Sequence, residues 1–322
     1  MSLPGVVTLS SGGPPRTGSV PALPASVGAA LAFAQGLELA SAAELFETLA
    51  TLAAYDLGVA RAVEPHLDAV AILTQAGVTV PEGALGVFAA EGPGEPLHFD
   101  GRVLNGTKPW CSLASELDGA LVTATLDDGQ RQLLAVSLRH PGVRVVQGAW
   151  HARGLAEIPS GPVEFTDVPA EPVGDPGWYL SRPGFAWGGV GVAACWYGGA
   201  VGIARTVFAA AVERPNPFLR MHLGAIDANL EDARRALAES AALIDAGEDG
   251  TLFAKRARAT VAHVVEDTIA RAGHALGPAP LALDADHAKR VADLALYVRQ
   301  HHAEKDEASL GDKLAAAGSV PW

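Results

Sequence analysis

The sequence predicts an α+β protein in which a helical segment, a β domain and a helical bundle follow one another along the chain. Three observations carry that prediction. Residues 26–82 are rich in Ala and Leu with apolar positions at helical spacing, as from Ala43 through Leu52 and from Leu57 through Glu64. Residues 83–178 break into short alternating runs bounded by Gly, Pro, Asn and Asp, such as 119–125, 132–137, 143–146 and 163–165, a rhythm that suits a small β barrel or sandwich. Residues 179–322 return to long Ala-rich helical stretches, clearest at 230–244, 252–272 and 286–302. A length of 322 residues fits two or three domains with ample core, and no internal repeat is evident.

The remaining stretches bound the function classes. Residues 1–25, rich in Pro, Gly and Ser, lack the basic start and apolar centre of a signal peptide and read as a flexible leader. The segment 184–204 carries no charge and is long enough to span a membrane, yet its seven glycines and the absence of a second span favour the central helix of a tight soluble bundle. A net charge of −13 argues against a phosphate-backbone partner, so nucleic-acid binding is excluded as the expectation. Cys111 and Cys195 are the two cysteines, without paired spacing, and point to a reducing, cytoplasmic setting. There is no phosphate loop with Lys, no Gly-x-Ser-x-Gly elbow and no zinc-type cluster. Gly198-Gly199-Ala200-Val201-Gly202 follows helix-like sequence and reads as helix packing.

The most informative stretch is Gly101–Ala114. Asn105-Gly106 is a hairpin signal, because both residues accept positive φ. Trp110 and Ser112 are then two apart on one strand, so both side chains point to the same face, with Cys111 on the other. Read from the residues alone, this is either a buried Trp in a β core or a flat indole beside a hydroxyl, suited to a flat, polar-edged ring.

The run Leu104-Asn105-Gly106-x-Lys108-x-Trp110-x-Ser112 resembles the middle-domain signature of acyl-CoA dehydrogenases. Leu85–Gly94, Gly154-Leu155 with Gly161–Ala170, and Asp293–His302 resemble further segments of that family in the right order, so the resemblance covers roughly residues 40 to 310. It implies the acyl-CoA dehydrogenase-like fold, an FAD cofactor, a homodimer or homotetramer, and an electron-transfer flavoprotein as redox partner. The implied activity is α,β-dehydrogenation of an acyl-CoA thioester. The N-terminal helical segment, 26–82, is several turns shorter than is usual in the family, which implies an open substrate channel or one completed by a neighbour.

By the same resemblance, Trp110 lies against the flavin and Ser112 donates near its N5. Ala90 and Glu91 present backbone groups to the pyrimidine edge, although the family often has a hydroxyl where Ala90 stands. Arg214, before Pro215 and Pro217, matches an arginine that reaches the cofactor pyrophosphate across a subunit interface, with Phe218 and Asn216 as secondary candidates. A surface arginine at a helix end is the alternative reading. Pro278 after Gly277 replaces a glycine of the family's turn and removes a backbone donor there.

The catalytic base departs furthest. Counting from Tyr297 puts His301 where the family carries a Glu, and Glu304 is the alternative carboxylate, one turn beyond. A neutral imidazole serves as a base near physiological pH. The plain alternative is a pair of histidines closing a helix, and adjacent histidines diverge too far to chelate a metal. These departures leave two further readings open: a catalytically degenerate paralogue acting as a binding partner, and a flavin-dependent monooxygenase on the same scaffold.

Overall fold

A computed structural model describes residues 5–10, 23–92, 94–214, 216–320 and 322. Among the described residues the first helices are α1 (Val27–Gln35), α2 (Ala42–Tyr55) and α3 (Leu57–Gln75). Each has a side-chain cap, Ser26, Ser41 and Asp56, whose oxygens accept from first-turn N–H groups. Asp56 separates α2 from α3 with extended backbone, ending one helix and capping the next. Residues 5–10, part of the stretch expected to be a flexible leader, lie against the helices with Val7 and Leu9 buried. Val7 N–H donates to Thr51 Oγ1 at 3.0 Å, Leu9 N–H donates to Glu47 at 2.7 Å, and Arg205 donates to the Gly5 carbonyl at 2.6 Å.

Eight strands follow: β1 (Leu85–Phe88), β2 (His98–Phe99), β3 (Val103–Lys108), β4 (Gly119–Thr125), β5 (Arg131–Ser137), β6 (Val143–Val145), β7 (Val163–Pro169) and β8 (Glu171–Val173). They form one hydrogen-bonded sheet in the order β6-β7-β3-β2-β4-β5-β8, with β1 joined in parallel to β4. The hairpin turn is not at Asn105-Gly106. It lies at Asp100–Arg102, where Asp100 accepts from the N–H groups of Arg102 and Val103, both at 2.8 Å, and Gly101 has φ +96°. Asn105-Gly106 sits inside β3 as a bulge against β7, and the freedom of Gly106 (φ +119°) is used to shift register.

The C-terminal region comprises the short α4 (Trp178–Ser181), then α5 (Pro183–Glu213), α6 (Pro217–Asp245), α7 (Thr251–Leu276), α8 (Pro278–Leu283), α9 (Ala285–Tyr297), a 3-10 turn at Val298–Gln300 and α10 (Glu304–Ala316). Helix α5 is apolar enough to cross a membrane by length and composition, but it is the central helix of the bundle, with Val190, Ala193, Ala194, Trp196 and Ile203 buried. Its glycines explain the packing. A Cβ on Gly198 would run into the Ala50 carbonyl of α2, and one on Gly202 would lie 2.9 Å from the Ala54 carbonyl.

The β domain is tied to the bundle by one charged node. Lys289 on α9 reaches Asp56 at 3.1 Å, Glu157 at 2.7 Å and Asp293 at 2.6 Å, and these carboxylates hold its ammonium well above the usual lysine range. Asp293 also accepts from Leu155 N–H at 2.6 Å, fixing a loop of the β domain on α9. The three carboxylates cluster as a metal site would, but the ammonium stands among them.

Candidate functional site

The signature stretch builds a corner of the β domain by loop geometry. Strand β3 ends at Lys108, so Trp110 and Ser112 do not share a strand. Trp110 takes φ +60° and Leu113 φ +57°, while Cys111 and Leu113 N–H donate to the carbonyls of Gly161 (3.0 Å) and Pro159 (2.8 Å). The result separates the pair: the Trp110 indole is 56% exposed and Ser112 is buried.

The lysine of the signature is structural. Lys108 is fully buried and donates to Glu91 Oε1 (3.0 Å), the Thr123 carbonyl (3.0 Å) and Thr123 Oγ1 (2.8 Å). Burial draws its pKa down and Glu91 opposes this. The side chain of Glu91 is thus committed to Lys108, with Arg131 at 3.7 Å, and only its backbone, with that of exposed Ala90, remains to meet a ligand.

Ser112 is likewise engaged. Ser160 Oγ donates to the Ile158 carbonyl at 3.1 Å, so the Ser112 hydroxyl donates to Ser160 at 2.7 Å and accepts from Arg61 Nη2 at 2.9 Å. Its hydrogen is therefore spent within the protein. The free donor at this corner is Arg61 Nη1, which is buried and has no hydrogen-bond partner among the described residues. The exposed Trp110 indole and the exposed backbone of 90–92 are what this corner offers a flat, polar-edged ring.

Arg61 is also the link to a second place. Its Nη1 lies 3.7 Å from Glu64 on the same helix, and Glu64 opens into a cavity of about 390 Å³ enclosed by α3, α5, α7 and the 298–302 segment. The acidic, basic and imidazole side chains lining it are Glu64, Asp68, Arg182, Lys255, Arg258, His301 and His302, with Asp306 at the rim. Burial pushes the Glu64 carboxyl up to about 7 against the pull of Arg61. Burial also raises Asp68, partly offset by Arg182, and lowers His301, so that its imidazole is neutral at pH 7.

Behind these groups stands an aromatic wall. Trp196 meets Tyr297 and His301 edge-on, at 6.3 and 6.4 Å between centroids, while Arg258 stacks over the Trp196 ring at 4.8 Å. The buried Tyr297 hydroxyl lies close to Glu64 and Cys195, yet makes no proper hydrogen bond among the described residues. The cavity thus offers a neutral imidazole and a carboxyl titrating near neutrality, both sheltered from bulk water, which is what proton transfer at a bound substrate requires.

The predicted site residues fall into three places. His301 is buried in the cavity, whereas Glu304 opens α10 with an exposed side chain. Ala90, Glu91, Trp110 and Ser112 form the β corner. Arg214 and Phe218 are exposed at the turn between α5 and α6, where Asn216 caps α6 by accepting from Phe218 and Leu219 N–H. That turn carries an apolar surface of Phe208, Val212, Phe218 and Met221. Gly277 and Pro278 join α7 to α8, with Gly277 at φ +70°.

Sequence reasoning passed over Arg61, Glu64, Arg182 and Arg258. The available signal was charge on otherwise apolar helix faces, as in Val63-Glu64, buried at position 64 of α3.

No protein-family model and no curated protein matches the sequence. Solved structures do. Butyryl-CoA dehydrogenase from Megasphaera elsdenii superposes with a TM-score of 0.78 at 16% identity, covering 90% of this chain and 88% of that one. The chain has the acyl-CoA dehydrogenase fold. A glutaryl-CoA dehydrogenase from Mycobacterium smegmatis, in complex with FADH2, gives 0.76 at 15% identity over 92% and 88% of the two chains. TdsC from Paenibacillus sp. A11-2, in complex with FMN and indole, shares the fold equally well, with a TM-score of 0.76 at 18% identity over 87% of this chain and 85% of that one. Both dehydrogenases and a dibenzothiophene monooxygenase, as TdsC is described, thus share the acyl-CoA dehydrogenase fold with this protein.

Proposed function

We propose that the protein is a flavin-dependent oxidoreductase, binding FAD, which performs α,β-dehydrogenation of an acyl thioester. The observation that carries this reading is Arg61, one guanidinium that touches Ser112 of the β corner and Glu64 of the cavity. It sets the candidate flavin wall and the candidate proton-handling groups one side chain apart. The similar structures bound to FADH2 and FMN support a flavin, and the resemblance favours FAD.

Trp110 would cover the ring, and the backbone of 90–92 would meet its edge. When bound, the flavin supplies a hydride acceptor, chemistry that no side chain offers. The chain's own residues position the substrate and move its proton. His301, neutral and buried, is the base, with Asp306 3.9 Å from its Nε2 to stabilise the imidazolium. Glu64 is a second proton carrier on the facing helix, with the Trp196–Tyr297 pair behind both. The exposed apolar turn around Arg214 suits assembly as a homodimer or homotetramer in which Arg214 and Phe218 complete a neighbour's cofactor site. An electron-transfer flavoprotein would then take up the electrons, and the two buried free thiols suit the reducing cytoplasm.

The test is the absorbance spectrum of the purified protein followed by a panel of acyl-CoAs. Bound flavin that bleaches with one of them is the expected result. A colourless protein that cannot be reconstituted with FAD defeats the redox reading and leaves a degenerate paralogue. A second reading, flavin-dependent monooxygenation, draws on the histidine in place of a carboxylate and on the likeness to TdsC. Oxygen consumption with supplied reduced flavin distinguishes it.

A further inference from the structure

Residues 5–10 bind to the helical body as a peptide ligand would. The segment is extended with alternating burial: Val7 and Leu9 are buried, Val6 and Thr8 half-buried, and Gly5 and Ser10 exposed. It belongs to no helix or strand, and among the described residues it makes no backbone–backbone hydrogen bond. Its backbone is read instead by side chains of three helices. Thr51 of α2 takes both groups of Val7, accepting from the N–H at 3.0 Å and donating to the carbonyl at 3.4 Å. Glu47, one turn earlier on α2, accepts from Leu9 N–H at 2.7 Å and from the Thr8 hydroxyl at 2.8 Å. Arg205 of α5 donates to the Gly5 carbonyl at 2.6 Å, and Arg234 of α6 donates to the Leu9 carbonyl.

Two features set this contact apart from ordinary packing. Arg234 is held in advance: Glu231 accepts from its Nε at 2.7 Å and from its Nη2 at 2.8 Å, which leaves Nη1 for the segment. Thr51 engages one residue through both of its backbone groups, as a neighbouring strand would, so side chains here take the place of a sheet edge. The segment is also separable. Residues 11–25, a stretch rich in Gly, Pro and Ser, stand between it and α1, and α1 to α3 carry their own caps. Departure of residues 5–10 therefore leaves every helix and strand bond in place.

We infer that α2, α5 and α6 form a recognition groove for an extended peptide with apolar side chains at alternate positions, and that residues 5–10 are its exchangeable occupant. Glu47, Thr51, Arg205 and Arg234 read the backbone, while the places of Val7 and Leu9 read the sequence. The uncharged Thr8 between these anchors suits a groove in which Glu47 would repel an acid. A tether such as 11–25 supplies an effective concentration on the order of millimolar, so the chain's own segment holds the groove against a free peptide at micromolar concentration.

Fluorescence anisotropy of the capped peptide Gly-Val-Val-Thr-Leu-Ser, labelled through an added C-terminal lysine, tests this on the full-length protein. The unmodified protein is expected to leave the peptide free, and a chain carrying Val7→Ser with Leu9→Ser to bind it about ten-fold or more tightly. Glu47→Ala added to that chain should weaken the peptide about ten-fold, and so should Leu9→Ser in the peptide itself. A vacated groove that binds the peptide no better than the unmodified protein does, or binds the serine peptide equally well, overturns the inference. Hydrogen exchange of the unmodified protein reads the same property without a substitution. The Val7 and Leu9 amides should exchange about ten-fold or more slowly than in the free peptide, yet about 100-fold or more faster than Ala50 and Ala53 inside α2. Exchange at the free-peptide rate overturns the groove, and exchange at the α2 rate makes the segment a fixed part of the fold and overturns its exchangeability.

Discussion

The β corner and the helical cavity are built by opposite means. The corner, Ala90–Gly92 with Pro109–Ser112, comes from two short stretches, and its shape is set by local backbone: a bulge at Gly106, a positive φ at Trp110, and N–H groups donated to carbonyls of 159 and 161. The cavity draws charged residues from α3, α5, α7 and the segment after α9, spread over some two hundred and forty positions from Glu64 to Asp306. Local backbone yields an exposed aromatic surface with its polar groups already paired. Tertiary assembly yields the reverse, buried ionisable groups with shifted protonation and unpaired donors, and that is where chemistry is available.

Four substitutions sharpen or break the contrast. The largest effect is expected at Glu64. Its carboxyl titrates about 7 in the folded protein against an ordinary 4.5, so the native state holds the proton more tightly and stability falls as pH rises between those values. The cost, on the order of 3 kcal/mol, is complete above pH 7. Glu64→Gln removes it: the variant should unfold at higher denaturant than the parent at pH 8 and match it near pH 4.5. Equal midpoints at both pH values would show that Glu64 is solvated and the cavity wet.

His301→Ala comes next. Turnover of the flavin-loaded protein should fall about 100-fold, near 2.7 kcal/mol, with flavin content unchanged. The pH–rate profile of the residual activity should lose the limb that the lowered imidazole pKa governs. Activity retained in full moves the base to Glu64.

In the corner, Glu91→Gln should cost about 2 kcal/mol in urea unfolding, because it strips the buried Lys108 ammonium of its counter-charge. The figure lies below that for a fully buried pair because Glu91 is one-third exposed. The smallest effect is expected at Trp110. Its indole is mostly in solvent, so Trp110→Ala should change the stability of the flavin-free protein by less than about 0.5 kcal/mol, while FAD affinity, read by fluorescence titration, falls about ten-fold. A large stability loss would make this tryptophan part of the core instead.

The order of helical, β and helical regions was legible because periodicity reports which face of an element is buried, and the glycines of α5 announced close helix packing, whose partner, α2, only the fold revealed. The signature stretch was legible as a unit, but its geometry was misread at two points. Asn105-Gly106 serves a bulge as readily as a turn, since both need positive φ, and nothing in the residue types tells them apart. Trp110 and Ser112 were assigned to one strand because alternation holds only while the strand continues, and Pro109 ends it.

By itself, the sequence determined the α, β, α order of the regions and the central role of α5. The end at Tyr297 of the helix expected over 286–302, which sets His301 beyond it, came from the fold. Only the tertiary structure decided which charges meet. Glu64 stands three residues from Arg61 in the chain but far from His301 and Arg258, and its protonation depends on how much water the other helices exclude. Burial and pairing are properties of neighbours distant along the chain, and desolvation acts on whatever the fold brings together.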